Sequence, residues 1–413
     1  MQNRIFSFLL CGAAGALVLY LAPAPAGGQS SEAPANDPVA RLEQKLERGD
    51  ATLEYRPGFG YLLSLLKLLD INADSQVLVF SKTSFQQALI SPKNPRAIYF
   101  NDDVSVGAVP GGELFEVSAL DPQRGVNFYT LGMRQSDKPR FDRRSGVCEE
   151  CHGPVSILVP GLMVTSVIPD RNGTPFFTGA FFNITDQRTP ISKRWGGWYV
   201  TGTSEPHLGN AIAPDPDHPT DLETKGTQNL TSLAGKFDNS KYLERTSDIV
   251  ALMTLEHQTR MINLITSVSA QARSLIEAGK LDDTTNARFN AAAEEIVECL
   301  LFADEAELQE PVKGVSSFTQ TFPRRGPRDK QGRSLRDFDL RRRLFRYPLS
   351  YMIYDGIFDN MQDKLRDRVY RRLYDVLSGQ DESPKYGRLS TEDRESILAI
   401  LRDTKPNLPL FFR

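Results

Sequence analysis

The chain has 413 residues, with 49 Lys and Arg against 52 Asp and Glu, and its net charge of −3 gives no global pull towards nucleic acid. With 40% hydrophobic residues it has ample material for a packed core. Its four cysteines, Cys11, Cys148, Cys151 and Cys299, are too few and too scattered for a disulfide framework.

Arg4, the nearly unbroken apolar stretch 5–22 and the small residues Ala24-Pro25-Ala26 before Gly27 read as a signal peptide over residues 1–26. Export to the periplasm is the expectation. The apolar stretch is close to the minimum for a bilayer span, so an uncleaved N-terminal anchor is the alternative and the only foreseen membrane contact. Residues 27–48 follow as a flexible spacer and a short charged helix at 39–48. The segment 61–69, with Leu at six positions, predicts a short buried helix. From Ser75 the pattern changes to short strands at 76–80, 97–100, 104–109, 114–119 and 127–131, separated by Pro-Gly, Asp-Pro and Gly turns. Such spacing predicts an antiparallel sheet.

The loop after Phe141 carries Cys148-Glu149-Glu150-Cys151-His152. C-x-x-C-H is the spacing at which two thiols add across the vinyl groups of haem while the adjacent imidazole reaches the iron. A zinc site would need two further ligands at comparable spacing, and Cys11 and Cys299 are solitary. A thioredoxin-like C-x-x-C would open a helix in a βαβ unit, which these surroundings do not suggest. The motif therefore predicts one covalent haem c on Cys148 and Cys151, with His152 as the proximal iron ligand.

Residues 154–240 are rich in turns around β-like pieces at 163–168 and 176–184. From Ser247 the period becomes helical: Val250, Met253, His257, Met261, Leu264 and Val268 fall on one stripe of a helix at 249–268. Further helical patterns lie at 286–302, 349–358, 362–377 and 391–403, and Cys299 reads as a buried core thiol. The basic stretch 324–346 is expected to be a solvated segment balanced by Asp329, Asp337 and Asp339. The resulting fold class is α+β: an antiparallel β-rich, haem-bearing half at 49–245, then a helical half at 246–413.

With four histidines the search for a sixth iron ligand is short. His257, on the apolar stripe between Met253 and Met261, is the first candidate, and its bland alternative is a satisfied core histidine. His207, in the loop Glu205-Pro206-His207-Leu208-Gly209-Asn210, is the second, as ligand or as a distal acid or base. His218 reads as exposed. Met133, Met163, Met253 and Met261 are weaker thioether candidates. Trp195, Trp198 and Tyr199 would line a haem edge or anchor a small core.

Taken with Gln76-Val77-Leu78-Val79-Phe80-Ser81-Lys82-Thr83-Ser84-Phe85, Arg194-Trp195-Gly196-Gly197-Trp198-Tyr199-Val200-Thr201-Gly202, His207-Leu208-Gly209-Asn210, Leu255-Glu256-His257-Gln258 and Phe345-Arg346-Tyr347-Pro348-Leu349-Ser350-Tyr351, the haem motif resembles an uncharacterised group of exported bacterial single-haem cytochrome c-type proteins. The resemblance spans most of the chain. It implies haem c and export, marks His207 and His257 as family positions, and names no substrate. The leading expectation is a periplasmic electron-transfer protein working with redox partner proteins. The alternatives are a haem enzyme with an open distal site, oxidising a small molecule or acting like a peroxidase, and a haem-based sensor or assembly subunit.

Overall fold

The first element of the described residues begins at a single buried carboxylate. In the computed structural model, which describes residues 35–144, 146–153, 159–176, 182–280, 282–381 and 383–413, Asp37 caps helix α1 (Pro38–Arg48) by accepting from the amides of Val39 and Ala40. Pro38 fits the first turn because its missing N–H would have had no intrahelical partner. Gly49 ends the helix at φ 77°, a conformation glycine reaches without a Cβ clash. The outer oxygen of Asp37 also accepts from Asn127 Nδ2 at 2.8 Å and Tyr129 Oη at 2.5 Å, so the cap ties α1 to the sheet. Helix α2 (Leu62–Leu68) follows.

The sheet comprises β1 (Val77–Val79), β2 (Arg96–Phe100), β3 (Val104–Ala108), β4 (Leu114–Asp121), β5 (Gly125–Gly132) and β6 (Phe141–Arg143). It is closed on the far side by the two-residue β9 (Trp198–Tyr199). The order is β6-β5-β4-β3-β2-β1-β9, and every neighbouring pair is antiparallel. Between β4 and β5 the chain turns at Gly125, φ 87°, where a Cβ would lie 3.3 Å from Thr266. One face of the sheet presents Tyr99, Val106, Phe115, Val117 and Leu131 to α1 and α2. The opposite face sends Val77, Val79, Phe100, Leu120 and Val126 into a second core shared with the helices.

A short helix α3 (Gly146–His152) follows β6, and β7 (Thr165–Val167) pairs with β8 (Phe182–Ile184) in a separate two-stranded sheet. The helical half holds α4 (Ile249–Glu277), α5 (Asp283–Leu300), α6 (Phe318–Thr321), α7 (Gly356–Asp359), α8 (Asp363–Leu377) and α9 (Thr391–Thr404). The fold is α+β, with the antiparallel sheet in the first half and the helices in the second. Residues 36–413 form one compact unit, because the second core draws on both halves.

Several local patterns differ from expectation, and the first is that the Cys148–His152 motif lies on the short helix α3 and not in a loop. The segment 349–358 is not one helix: Ser350 and Asp355 are both extended and cap new turns, accepting from Met352 N and Ile357 N. Strands β6 and β9 are three and two residues long, too short to leave an alternating pattern. The basic stretch is balanced by more partners than the three local aspartates. Arg325, Lys330, Arg336 and Arg343 pair with Asp70, Asp403, Asp102 and Asp393. The signal-peptide expectation for residues 1–26 lies outside the described residues. Among the described residues no helix is long and apolar enough to cross a membrane.

Candidate functional site

Helix α3 displays the motif in under two turns. Cys148 and Cys151 stand three residues apart on it, so their side chains share one face. Cys148 is half-buried and Cys151 is exposed, which leaves that face approachable by a large planar group.

His152 ends the helix, and its ring is held by the chain just beyond. Nδ1 lies 2.8 Å from the carbonyl oxygen of Gly161. A carbonyl oxygen only accepts, so Nδ1 carries the proton and Nε2 presents its lone pair. The amide of Gly161 in turn donates to the carbonyl of His152 at 3.0 Å, making the contact reciprocal. The next residue is gripped from the helical half: Leu162 N donates to Asn263 Oδ1 at 2.8 Å, and Asn263 Nδ2 donates to Leu162 O at 2.7 Å. On the sheet side the Phe128 ring packs against the imidazole, with ring centres 4.6 Å apart.

Burial is the main influence holding the His152 pKa below its ordinary value; the Gly161 hydrogen bond acts the other way. The ion pair Arg96–Glu116, at 2.7 Å on the same sheet face as Phe128, exerts opposed effects on the ring. A neutral imidazole with its lone pair on Nε2 is the form that binds iron, so these residues fit a haem attached to Cys148 and Cys151. Among the described residues no group of three or more His, Cys, Asp or Glu side chains is arranged to hold a bare metal ion.

His257 is placed differently. It is fully buried on α4, its Nδ1 hydrogen-bonds to Gln187 Oε1, and its Nε2 lies 2.7 Å from Ser350 Oγ. Its aromatic neighbours are Phe302, Phe345 and Tyr351. Both nitrogens are therefore occupied, and ligation by His257 would require giving up the buried hydrogen bond at whichever nitrogen met the iron. This hydrogen bonding is what the bland alternative, a satisfied core histidine, would show. Sequence spacing could not show it, because the partners lie 70 and 93 residues away. Burial pushes the His257 pKa down to about 3. Next to it, Glu256 pairs with Arg194 at 2.8 Å, and both side chains are buried.

His207 is also buried, edge-on to Trp195 at 5.4 Å, and its Nδ1 has no hydrogen-bond partner among the described residues. Gln228 holds its backbone on both sides, accepting from its amide and donating to its carbonyl. Burial lowers its pKa to about 4. Trp198 Nε1 donates to Thr165 O and Tyr199 Oη to Pro92 O, so this aromatic element anchors loops on the sheet. Met253 and Met261 lie in the core, while His218 is exposed and paired with Asp215. What sequence reading missed was the support for the motif: Gly161, Phe128 and Asn263. Only the Pro160-Gly161 turn signal lay near it.

No family model, curated protein or solved structure matches the chain.

Proposed function

We propose that this chain is an exported monohaem c-type protein. Cys148 and Cys151 bind the haem covalently, His152 is the proximal ligand, and the role is electron transfer in the periplasm with partner proteins. One observation carries the reading: the reciprocal His152–Gly161 contact, which fixes the proton on Nδ1 and leaves Nε2 as the ligating atom of a motif whose two thiols share its helix. The haem, when bound, supplies the one-electron couple; the protein sets ligand basicity, orientation and access.

A second reading, a haem enzyme or sensor with an exchangeable sixth position, gains support from the engaged nitrogens of His257. The two are separated by optical spectra of the oxidised and reduced protein with and without carbon monoxide, after expression with a haem c maturation system. A low-spin haem inert to carbon monoxide supports the electron carrier. A high-spin haem that binds it readily supports the open site. A mature mass equal to apoprotein refutes both.

A further inference from the structure

The grip of Asn263 on Leu162 joins the helical half to the proximal histidine through only two residues of chain. Asn263 uses both ends of its amide on the backbone of Leu162, with bonds of 2.8 and 2.7 Å in opposite directions. Leu162 follows Gly161, whose carbonyl takes the His152 Nδ1 proton and whose amide binds the His152 carbonyl. A two-point contact fixes the plane of a peptide as well as its position. The Leu162 amide nitrogen belongs to the same peptide plane as the Gly161 carbonyl. Holding that nitrogen therefore aims that carbonyl.

Around this point α4 makes further fixed contacts. Thr266 sits against Gly125 at the β4–β5 turn, and Arg273 donates to the carbonyl of Gln123 in the same turn. The helix is thus a rigid bar against the end of β5, whose Phe128 touches His152.

We infer that Asn263 is a positioning residue for His152: by fixing the Gly161–Leu162 peptide it sets the tautomer and ring orientation of the imidazole, and so the basicity of its ligating nitrogen. The inference rests on the haem reading for its effect on iron, and on the hydrogen-bond chain alone for its effect on the histidine. A well-aligned Nδ1–H···O=C bond pushes electron density towards Nε2 and stabilises the ferric state. Loosening it raises the reduction potential and weakens the iron–histidine bond.

The test uses the full chain with Asn263→Leu, which keeps the branched shape and removes both bonds, and Asn263→Ala as a second variant. Thr254→Val is the control, because Thr254 bonds only within α4, to Val250 O. Haem staining after denaturing electrophoresis, the reduction potential, and the iron–histidine stretch by resonance Raman are measured on the loaded proteins. The His152 tautomer is read by nitrogen NMR on the same chains carrying Cys148→Ala and Cys151→Ala.

Both Asn263 variants should keep covalent haem and shift the ferric–ferrous equilibrium by about tenfold, ~59 mV for one electron, with a lower stretching frequency. Their haem-free forms should lose the pure Nδ1–H tautomer. Thr254→Val should lower stability and change none of these. Unchanged potential, stretch and tautomer in both Asn263 variants overturn the inference, as does an equal change in the Thr254→Val control. A parent without covalent haem whose His152 tautomer still depends on Asn263 leaves the positioning role standing and removes the haem reading.

Discussion

His152 and His257 are the same side chain in two opposite settings. His152 stands at the end of a seven-residue helix beside an exposed cysteine, with one nitrogen bonded to a carbonyl. His257 sits inside a 29-residue helix, completely enclosed, with both nitrogens bonded to side chains. The comparison teaches that the number of engaged nitrogens, more than burial or an apolar neighbourhood, is what would distinguish these two settings if the proposed haem is bound. A ligand needs its second nitrogen oriented and its first left open. His257 has both satisfied, which avoids the cost of an unpartnered polar atom in an apolar interior.

The largest effect is expected at the exposed setting. Replacing both Cys148 and Cys151 with Ala should abolish all haem that survives denaturing electrophoresis while leaving the fold intact, since neither thiol belongs to the buried cores. Haem staining that persists in the double variant defeats covalent attachment by this motif. Next comes the enclosed setting. Arg194→Met should strand the Glu256 carboxylate without its cation, at a cost of about 3–5 kcal/mol in urea unfolding. A loss below about 1 kcal/mol would show that the buried pair is not held as described.

His257→Ala follows, since it opens a cavity and leaves Gln187 and Ser350 without their shared partner. We expect a loss of about 2–4 kcal/mol and a haem spectrum identical to the parent's. Conversion from low-spin to high-spin haem that takes up carbon monoxide would make His257 the sixth ligand and erase the contrast drawn above.

How much of this was legible beforehand follows from the range of the interactions. The capped α1, the alternating strands β2 to β5 and the apolar stripe of α4 are local patterns, and each lies close to its expected place, whereas the cysteine motif was expected in a loop and lies on the short helix α3. The tether from Asn263 to Leu162 spans 101 residues, and the link from His257 to Ser350 spans 93. Nothing local marks Gln187 or Ser350 as a partner for an imidazole. The break at Ser350 and Asp355 was readable in principle, as two capping residues five apart. Their apolar neighbours, Met352, Ile353, Ile357 and Phe358, presented the stronger pattern.

Acid should expose the enclosed setting selectively. The pKa of His257 is held at about 3 and that of His207 at about 4, both by burial, against an ordinary 6.5. The unfolded chain takes up these protons from pH 6.5 downward while the folded chain refuses them. Their contribution is therefore fully present above pH 6.5 and lost as the pH falls towards 4 and 3, by up to about 1.4 kcal/mol per pH unit for each ring. Glu305 acts in the opposite sense: burial raises its pKa to about 7, so its contribution is present below 4.5 and lost as the pH rises through 7. Urea unfolding between pH 6.5 and 4.5 should show a shallower slope in His257→Ala than in the parent. Equal slopes would mean that His257 is already protonated in the fold.

The smallest effect is expected at His207, which shares burial with His257 but lacks its partners. Its Nδ1 is enclosed without a hydrogen bond, so removing that nitrogen forfeits none. A phenyl ring can keep the edge-on packing against Trp195, and Gln228 holds the backbone whatever the side chain. Gly209 passes close enough to this ring that a Cβ there would come within 2.9 Å of His207 Nδ1, and phenylalanine is slightly larger than histidine. The gain from deleting an unsatisfied polar atom and the cost of slight overpacking oppose each other. His207→Phe should therefore remain within about 1 kcal/mol of the parent. Its haem spectrum should also be unchanged. A loss of several kcal/mol would reveal a hydrogen-bonded water on Nδ1, and a shift to high spin would make His207 the iron's sixth ligand.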